Sequence, residues 1–169
     1  MGLKEILTNL NEENLKELYI TYKKPIFLFV LGIVKDYDLS EDITEEVFIK
    51  IIKYYKSYNR MYNPKTWIFT IAKNTAYTYL NKNREISIDN DKLDVIINKH
   101  NNIKNDTSIV VEEYLSQLTE IERNIVMLHV FAGLKHNEIA KILNIKSSQV
   151  RTKYAYALKK LKRRIYEKE

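Results

Sequence analysis

The chain carries little with which to interrupt a helix or turn a strand: three glycines and two prolines in 169 residues. Tight β-turns draw on Gly, Pro, Asn and Asp at fixed places, so an all-β fold with many turns is excluded and long helices are favoured. Hydrophobic residues make up 45%, ordinary for a globular protein and too many for a disordered one. They recur at helical spacing. Leu15, Leu18, Tyr19, Tyr22, Ile26, Phe29, Val30 and Ile33 fall three and four apart, which predicts a helix over 12–34 that Pro25 kinks or divides. The length allows one domain, or two small ones of roughly 60–70 residues.

Composition also limits the chemistry. There is no cysteine, so disulfides, thiolate zinc sites, iron–sulfur clusters and cysteine catalysis are excluded. Neither GxGxxG nor GxxxxGK[ST] occurs. His100, His129 and His136 are scattered, and no catalytic triad or metal set is visible. The expectation is a protein that is not an enzyme and that needs no cofactor or metal. The longest apolar run, Ile26 to Val34, has nine residues, where a membrane span needs about 20. With no export signal visible, a cytoplasmic protein without membrane insertion is expected.

The net charge of +6 conceals a pattern. Residues 36–46 hold six acids and no base: Asp36, Asp38, Glu41, Asp42, Glu45 and Glu46. Residues 47–84 hold eight bases and no acid, 85–122 three bases and nine acids, and 123–169 twelve bases and three acids. Two basic blocks parted by an acidic one suggest two surfaces for a polyanion. The acidic strip suggests a different, basic partner.

After a turn over Asp36 to Leu39, Ser40 is suited to cap a helix running to about Tyr55, with Val47, Phe48, Ile51, Ile52 and Tyr55 on one face. Residues 56–65 read as a loop, and a third helix is expected from Thr66 to about Lys82, striped by Trp67, Ile68, Ile71 and Ala72. The Asn- and Asp-rich stretch 85–107 reads as the boundary between two domains, 1–84 and 108–169. Beyond it, a helix is expected from Ser108 to about Gln117. Thr119 and Glu122 then form a capping box, and Gly133 ends the helix they open.

His136 to Leu161 has the layout of a helix–turn–helix. Ile139, Ala140 and Leu143 form the buried face of a short helix, Asn144 suits a left-handed turn, and Ile145 plugs it. Ser147 caps a long helix whose buried face is Val150, Tyr154, Ala157, Leu158 and Leu161. At its start stand Ser147, Ser148, Gln149, Arg151, Thr152 and Lys153, types that read base edges or bind phosphates where such a helix enters the major groove. In the N-terminal half, Tyr54, Tyr55, Tyr58, Arg60 and Tyr62 lead into a helix that begins with Trp67. Rings among cations suit a single-stranded nucleic acid, because bases stack on the rings while cations hold the backbone. The competing reading is that these rings are core, more so for Trp67 than for Tyr58 and Tyr62.

SEDITEEVFIKII, then WIFTIAKN, then EIAKILNIKSSQVRTKYAYALKKLK resembles, in order and spacing, a small bacterial RNA polymerase sigma factor of the extracytoplasmic-function (ECF) type. LYITYKKPIFLFVLGIVKD fits the first helix pair of that family, Pro25 included. The resemblance covers about 15–84 and 108–165. It implies an all-α fold with two small helical domains, sigma region 2 (1–84) and a region 4 helix–turn–helix domain (108–169), joined by a linker (85–107). It implies as partners core RNA polymerase, through the clamp coiled coil of the largest subunit and the flap, and promoter DNA. An anti-sigma factor is common for such proteins, though the sequence itself carries no sign of one.

By position, the resemblance puts Asp42, Glu45 and Glu46 on the clamp. It puts Tyr58, Arg60, Tyr62, Trp67, Lys73 and Asn74 on the minus-ten element, and Ser147, Ser148, Gln149, Arg151 and Lys153 on the minus-thirty-five element. The chain departs from the family's usual Gln at Glu45, Arg at Lys73, Asp and Arg at Thr78 and Asn81, Gly at Asn144 and Thr at Gln149. The changes at Thr78, Asn81 and Gln149 leave the promoter preference open. Two other readings remain: a helix–turn–helix regulator that recruits no polymerase, which has no need of the acidic strip or aromatic loop, and a sigma-like interaction protein without initiation activity of its own.

Overall fold

Asn11 starts the first long helix. Its side chain accepts from the Asn14 amide while the Asn14 side chain accepts from the Asn11 amide, a reciprocal cap. The computed structural model describes residues 2–88 and 115–167, the side chains of 83–88 and 164–167 excepted. It contains α1 (Leu3–Thr8), α2 (Glu12–Val34), α3 (Tyr37–Tyr54), a 3-10 turn (Tyr55–Ser57), α4 (Pro64–Ile88), α5 (Glu120–Val130), α6 (His136–Leu143) and α7 (Ser147–Glu167). No strand occurs among the described residues.

Several boundaries differ from expectation. Pro25 lies inside α2 and does not divide it. The Asp36 side chain, not Ser40, caps α3 by accepting from the Leu39 amide at 2.9 Å; Ser40 is buried within the helix, and its hydroxyl bonds back to the Asp36 carbonyl. Pro64 opens α4 two residues before Thr66, because a proline at the first helical position has no amide to satisfy, and Asn63 caps the amide of Lys65. The helix continues to Ile88, past the expected boundary at 84. Short α1 was not expected at all; it buries Ile6 and Leu7. Of the helix anticipated from Ser108 only 115–117 lie within the described residues, and the linker beyond Ile88 lies outside them.

In the N-terminal half α2, α3 and α4 pack on one another around Leu18, Ile26, Phe29, Ile43, Val47, Ile51, Ile68 and Phe69. Phe29 and Phe69 meet edge to face with centroids 5.7 Å apart, a favoured ring geometry. Two members assigned to apolar faces stand outside: Ile52 on α3 is 43% exposed and Leu158 on α7 is 43% exposed. In the C-terminal half α5 carries the expected capping box, in which Thr119 and Glu122 bond each other's amides. Glu122 also accepts from Lys160 at 2.7 Å, tying α7 to the start of α5. Burial works against its charge, but the bonds from Lys160 and Thr119 outweigh it and hold the carboxyl below its ordinary range.

The halves are not held apart. α2 packs on α5 and α4 packs on α6, so buried residues of both belong to one core. Gly32 lies at the first contact: a Cβ there would stand 3.5 Å from Arg123 Cδ and 3.6 Å from Met127 Cγ, in ordinary packing contact with both.

Candidate nucleic-acid and partner surfaces

On α3 the buried stripe of Ile43, Val47, Phe48 and Ile51 turns the opposite side outward. Asp42 and Glu45 are exposed, and Glu46 is half-exposed, 3.6 Å from Lys50 one turn on. The same face continues through Ile49, 56% exposed, and Ile52. Acid followed by unpartnered aliphatic side chains suits a protein partner better than it suits water. Sequence reasoning missed Ile49, although its spacing from Asp42, Glu45 and Glu46 places it on their side of the helix.

The aromatic loop divides its rings between two jobs. Tyr58 is buried at 8% exposure, its ring lies 5.5 Å from that of Trp67, and its hydroxyl donates to the Tyr62 carbonyl at 2.7 Å. In this arrangement Tyr58 shapes the loop and offers no open face to a base. Burial pushes its phenol above the ordinary tyrosine value. Arg60 and Tyr62 are exposed, the latter at 63%, and Met61 between them at 90%. Trp67 is half-buried.

Further along α4, Lys73 and Asn74 sit at the boundary of the two halves. Lys73 Nζ donates to the Ile142 carbonyl at 2.6 Å, and Asn74 is exposed. Lys65 Nζ donates to the Ala132 carbonyl at 3.0 Å. The Tyr77 hydroxyl bonds Glu120, and the Asn63 amide bonds Glu138. Burial, with the Glu120 bond and charge, pushes the Tyr77 phenol up to about 12. Lys73, Asn74, Tyr77, Glu120 and Asn124 line a cleft of about 640 Å³ between the halves.

The helix–turn–helix forms with Ile139 and Ala140 buried as expected, but Ile142, and not the half-buried Leu143, completes the buried face of α6. Asn144 adopts the left-handed conformation (φ 55°, ψ 48°), and the Ile145 amide bonds the Ala140 carbonyl at 3.1 Å. Helix α7 begins at Ser147, one position earlier than a Ser147 cap implies. Gln149 Oε1 accepts from the Lys146 amide at 3.0 Å and does the capping. Ser148, Gln149, Arg151 and Thr152 are exposed at this end, with Ser147 and Lys153 half-exposed, while Val150 and Ala157 are fully buried behind them. Donors therefore project together from the start of one helix, the geometry that suits a major groove. His129, His136 and Tyr154 cluster behind the motif, ring centroids 4.7–5.2 Å apart. His129 Nδ1 bonds the Leu134 carbonyl at 2.8 Å, and His136 Nε2 is buried without a partner.

Two family models match the chain: Sigma-70 region 2 over residues 18–86, and Sigma-70, region 4, over residues 108–161. Among curated relatives, the chain is 28% identical to the ECF RNA polymerase sigma factor SigX of Bacillus subtilis (strain 168), over 90% of this chain and 84% of that protein. It is 27% identical to ECF RNA polymerase sigma factor SigM of the same organism, over 86% of this chain and 91% of SigM. Among solved structures its fold is similar to the sigma factor RpoE in complex with the anti-sigma factor NepR from Bartonella quintana: TM-score 0.72, 19% identity, 89% of this chain and 96% of that one. It is similar also to CnrH in complex with the cytosolic domain of CnrY: TM-score 0.69, 14% identity, 99% and 97%.

Proposed function

The chain belongs to the sigma-70 family, as a member of the ECF type, and from that premise we propose that it binds core RNA polymerase, directs it to a specific set of promoters and assists their melting. One observation carries the reading. A region 2 match with an acidic helix and aromatic loop stands in the same chain as a region 4 match whose α7 turns Ser148, Gln149 and Arg151 outward. A regulator that merely bound DNA would have no use for the first.

The roles follow from the chemistry. Asp42, Glu45 and Glu46, with Ile49 beside them, dock on the basic clamp coiled coil of the largest subunit. Region 4 meets the flap. Arg60 and Lys73 hold the backbone of the separated minus-ten strand while Tyr62, and Trp67 at its half-exposed edge, contact its bases; Asn74 offers a polar edge to a base. Tyr58 contributes by holding the loop in shape. At the minus-thirty-five element Arg151 and Gln149 read base edges, and Ser147, Ser148 and Lys153 hold phosphates.

Because α4 runs to Ile88, the tether is residues 89–107, which reach about 63 Å at roughly 3.3 Å per residue. Promoter elements one and a half to two turns apart lie roughly 50–70 Å from each other, so the nearly extended tether spans most of that range and the width of the domains supplies the rest. The polymerase makes the bonds, and the factor supplies recognition without catalysis. No helix among the described residues is long and apolar enough to cross a membrane, and a partner of core polymerase works in the cytoplasm. Because both structural neighbours are held by a partner protein, one named an anti-sigma factor, an anti-sigma factor is proposed here as well.

The test is assembly. Gel filtration with purified core polymerase should give a stoichiometric complex that retains promoter fragments selectively from sheared genomic DNA. A chain that binds such fragments equally well without core is a simple helix–turn–helix regulator. One that binds core but selects no DNA is a sequestering protein.

A further inference from the structure

Helix α1 is too short to stand alone. Its six residues make less than two turns, and nucleating so short a helix in water costs more than its few hydrogen bonds return. Its place is therefore set by what it packs on: α2, α4 and the 3-10 turn Tyr55–Ser57. Ile6 and Leu7 are buried at 3% and 1% exposure, and Leu3 and Leu10 pack against the same core.

A buried amide fixes the corner between α1 and α2. Asn14 is 2% exposed; its Nδ2 donates to the Asn9 carbonyl, and its Oδ1 accepts from the Asn11 amide at 2.7 Å. Asn9 closes α1 and Asn11 opens α2, so one side chain holds the end of one helix to the start of the next. Opening that corner would leave buried polar groups without partners.

The turn against which α1 rests has no buried residue of its own. It leads directly into Tyr58, whose amide donates to the Tyr55 carbonyl at 3.0 Å and whose hydroxyl donates to the Tyr62 carbonyl. Between them the Asn59 side chain accepts from the Met61 amide at 2.9 Å, and the Asn59 carbonyl accepts from the Tyr62 amide at 3.0 Å. Residues 55–62 are thus bound to one another as a unit, and where the turn goes, Arg60 and Tyr62 go with it. The unit is fastened to the rest of the half at one end by Tyr58, its ring 5.5 Å from that of Trp67, and at the other by α1.

We infer that α1 is a positioning element for promoter melting. Ile6 and Leu7, held in place by Asn14, back the 3-10 turn and so set where Arg60 and Tyr62 stand against the separated strand. α1 contains none of the residues assigned to DNA or to polymerase, and it acts through the loop. The inference rests on the reading of Arg60 and Tyr62 proposed above.

Trp67 is the single tryptophan, so its emission reports on the loop. In the free chain, checked for helix content by circular dichroism, Ile6→Ala, Leu7→Ala and Asn14→Ala should each shift that emission to the red and raise its quenching by acrylamide. Asn14→Ala carves no cavity in the apolar core, so the test survives if an aliphatic variant fails to fold. Ile43→Ala is the control for lost stability. It empties a fully buried site in the same half, on α3 about 18 Å before the turn at roughly 1.5 Å per residue, and should leave Trp67 emission as in wild type. All four variants should assemble with core polymerase. Opening of a promoter selected by the wild-type holoenzyme, read by permanganate, should fall about ten- to hundredfold for the three α1-directed variants and stay near wild type for Ile43→Ala. Leu7→Met, which conserves volume, should restore it. An equal fall for Ile43→Ala makes α1 a stabilising strut and overturns the inference, as does wild-type opening in all three α1-directed variants. Tyr62→Ala in the same assay separates the failures. If it lowers opening, the loop assignment stands and the role of α1 alone falls; if it does not, the assignment falls as well.

Discussion

Arg123 and Gly32 join the two halves: Nη1 donates to the glycine carbonyl at 2.8 Å, and the arginine Cδ passes 3.5 Å from where a Cβ would stand, an ordinary packing distance. The contact joins α2 to α5 and makes one core of two halves. Removing the guanidinium strands three carbonyls, those of Gly32, Leu115 and Leu118, at a cost of about 1–3 kcal/mol. Arg123→Ala should therefore split unfolding, so that scanning calorimetry shows two transitions where wild type shows one. A single transition at the wild-type temperature contradicts the coupling.

The histidine cluster gives region 4 a pH dependence. His136 titrates below its ordinary value of 6.5, because burial disfavours its cation, as do His129 and Arg151 nearby. As pH falls, the unfolded chain takes up this proton first and the folded chain later. Its contribution is thus fully present above 6.5 and is lost as pH falls through the depressed folded value. Glu122 is held below 4.5 and acts only in stronger acid. Thermal melts at about pH 7.5 and 5.5 should show a drop for wild type that His136→Phe largely removes. An equal drop in the variant would place the sensitivity elsewhere.

Neighbouring tyrosines should behave oppositely. Tyr58→Phe loses the bond to the Tyr62 carbonyl, about 1 kcal/mol of stability, and leaves promoter opening near wild type once the protein is folded. Tyr62→Ala removes a ring that is 63% exposed, so stability should hold while permanganate footprinting of the melted strand fades. The reverse pattern would make Tyr58 the stacking residue.

The two partner surfaces should separate as well. Arg151→Ala should weaken promoter binding by about 1–3 kcal/mol and nonspecific DNA far less; equal losses on both would mark a phosphate contact. Asp42→Lys, on an exposed face, should abolish assembly with core while the melting temperature stays put. Normal assembly would remove the acidic helix from the interface.

Much of this was legible in the residues, because helices announce themselves locally. The Thr119–Glu122 capping box, the left-handed Asn144 and the burial of Val150 and Ala157 depend on neighbours within a few positions, and each appears in the fold. Caps of comparable chemistry were harder to choose between: Asp36 and Ser40 are both good cap residues, and packing of Ser40 into the interior decided for Asp36. The period that put Ile52 and Leu158 inward cannot tell the core from the edge of an apolar stripe. Tyr58 has the same spacing and type as its exposed neighbours, and burial alone distinguishes it. The contact of Arg123 with Gly32 joins positions 91 apart, and no local pattern encodes it.

The most direct measurement is transcription in vitro from a genomic DNA library with purified core polymerase, with and without this chain. The account predicts new transcripts whose start sites share a two-part upstream element, lost with Asp42→Lys. If the chain binds core yet no new transcript appears, it does not initiate, and the reading of a promoter-directing factor is wrong.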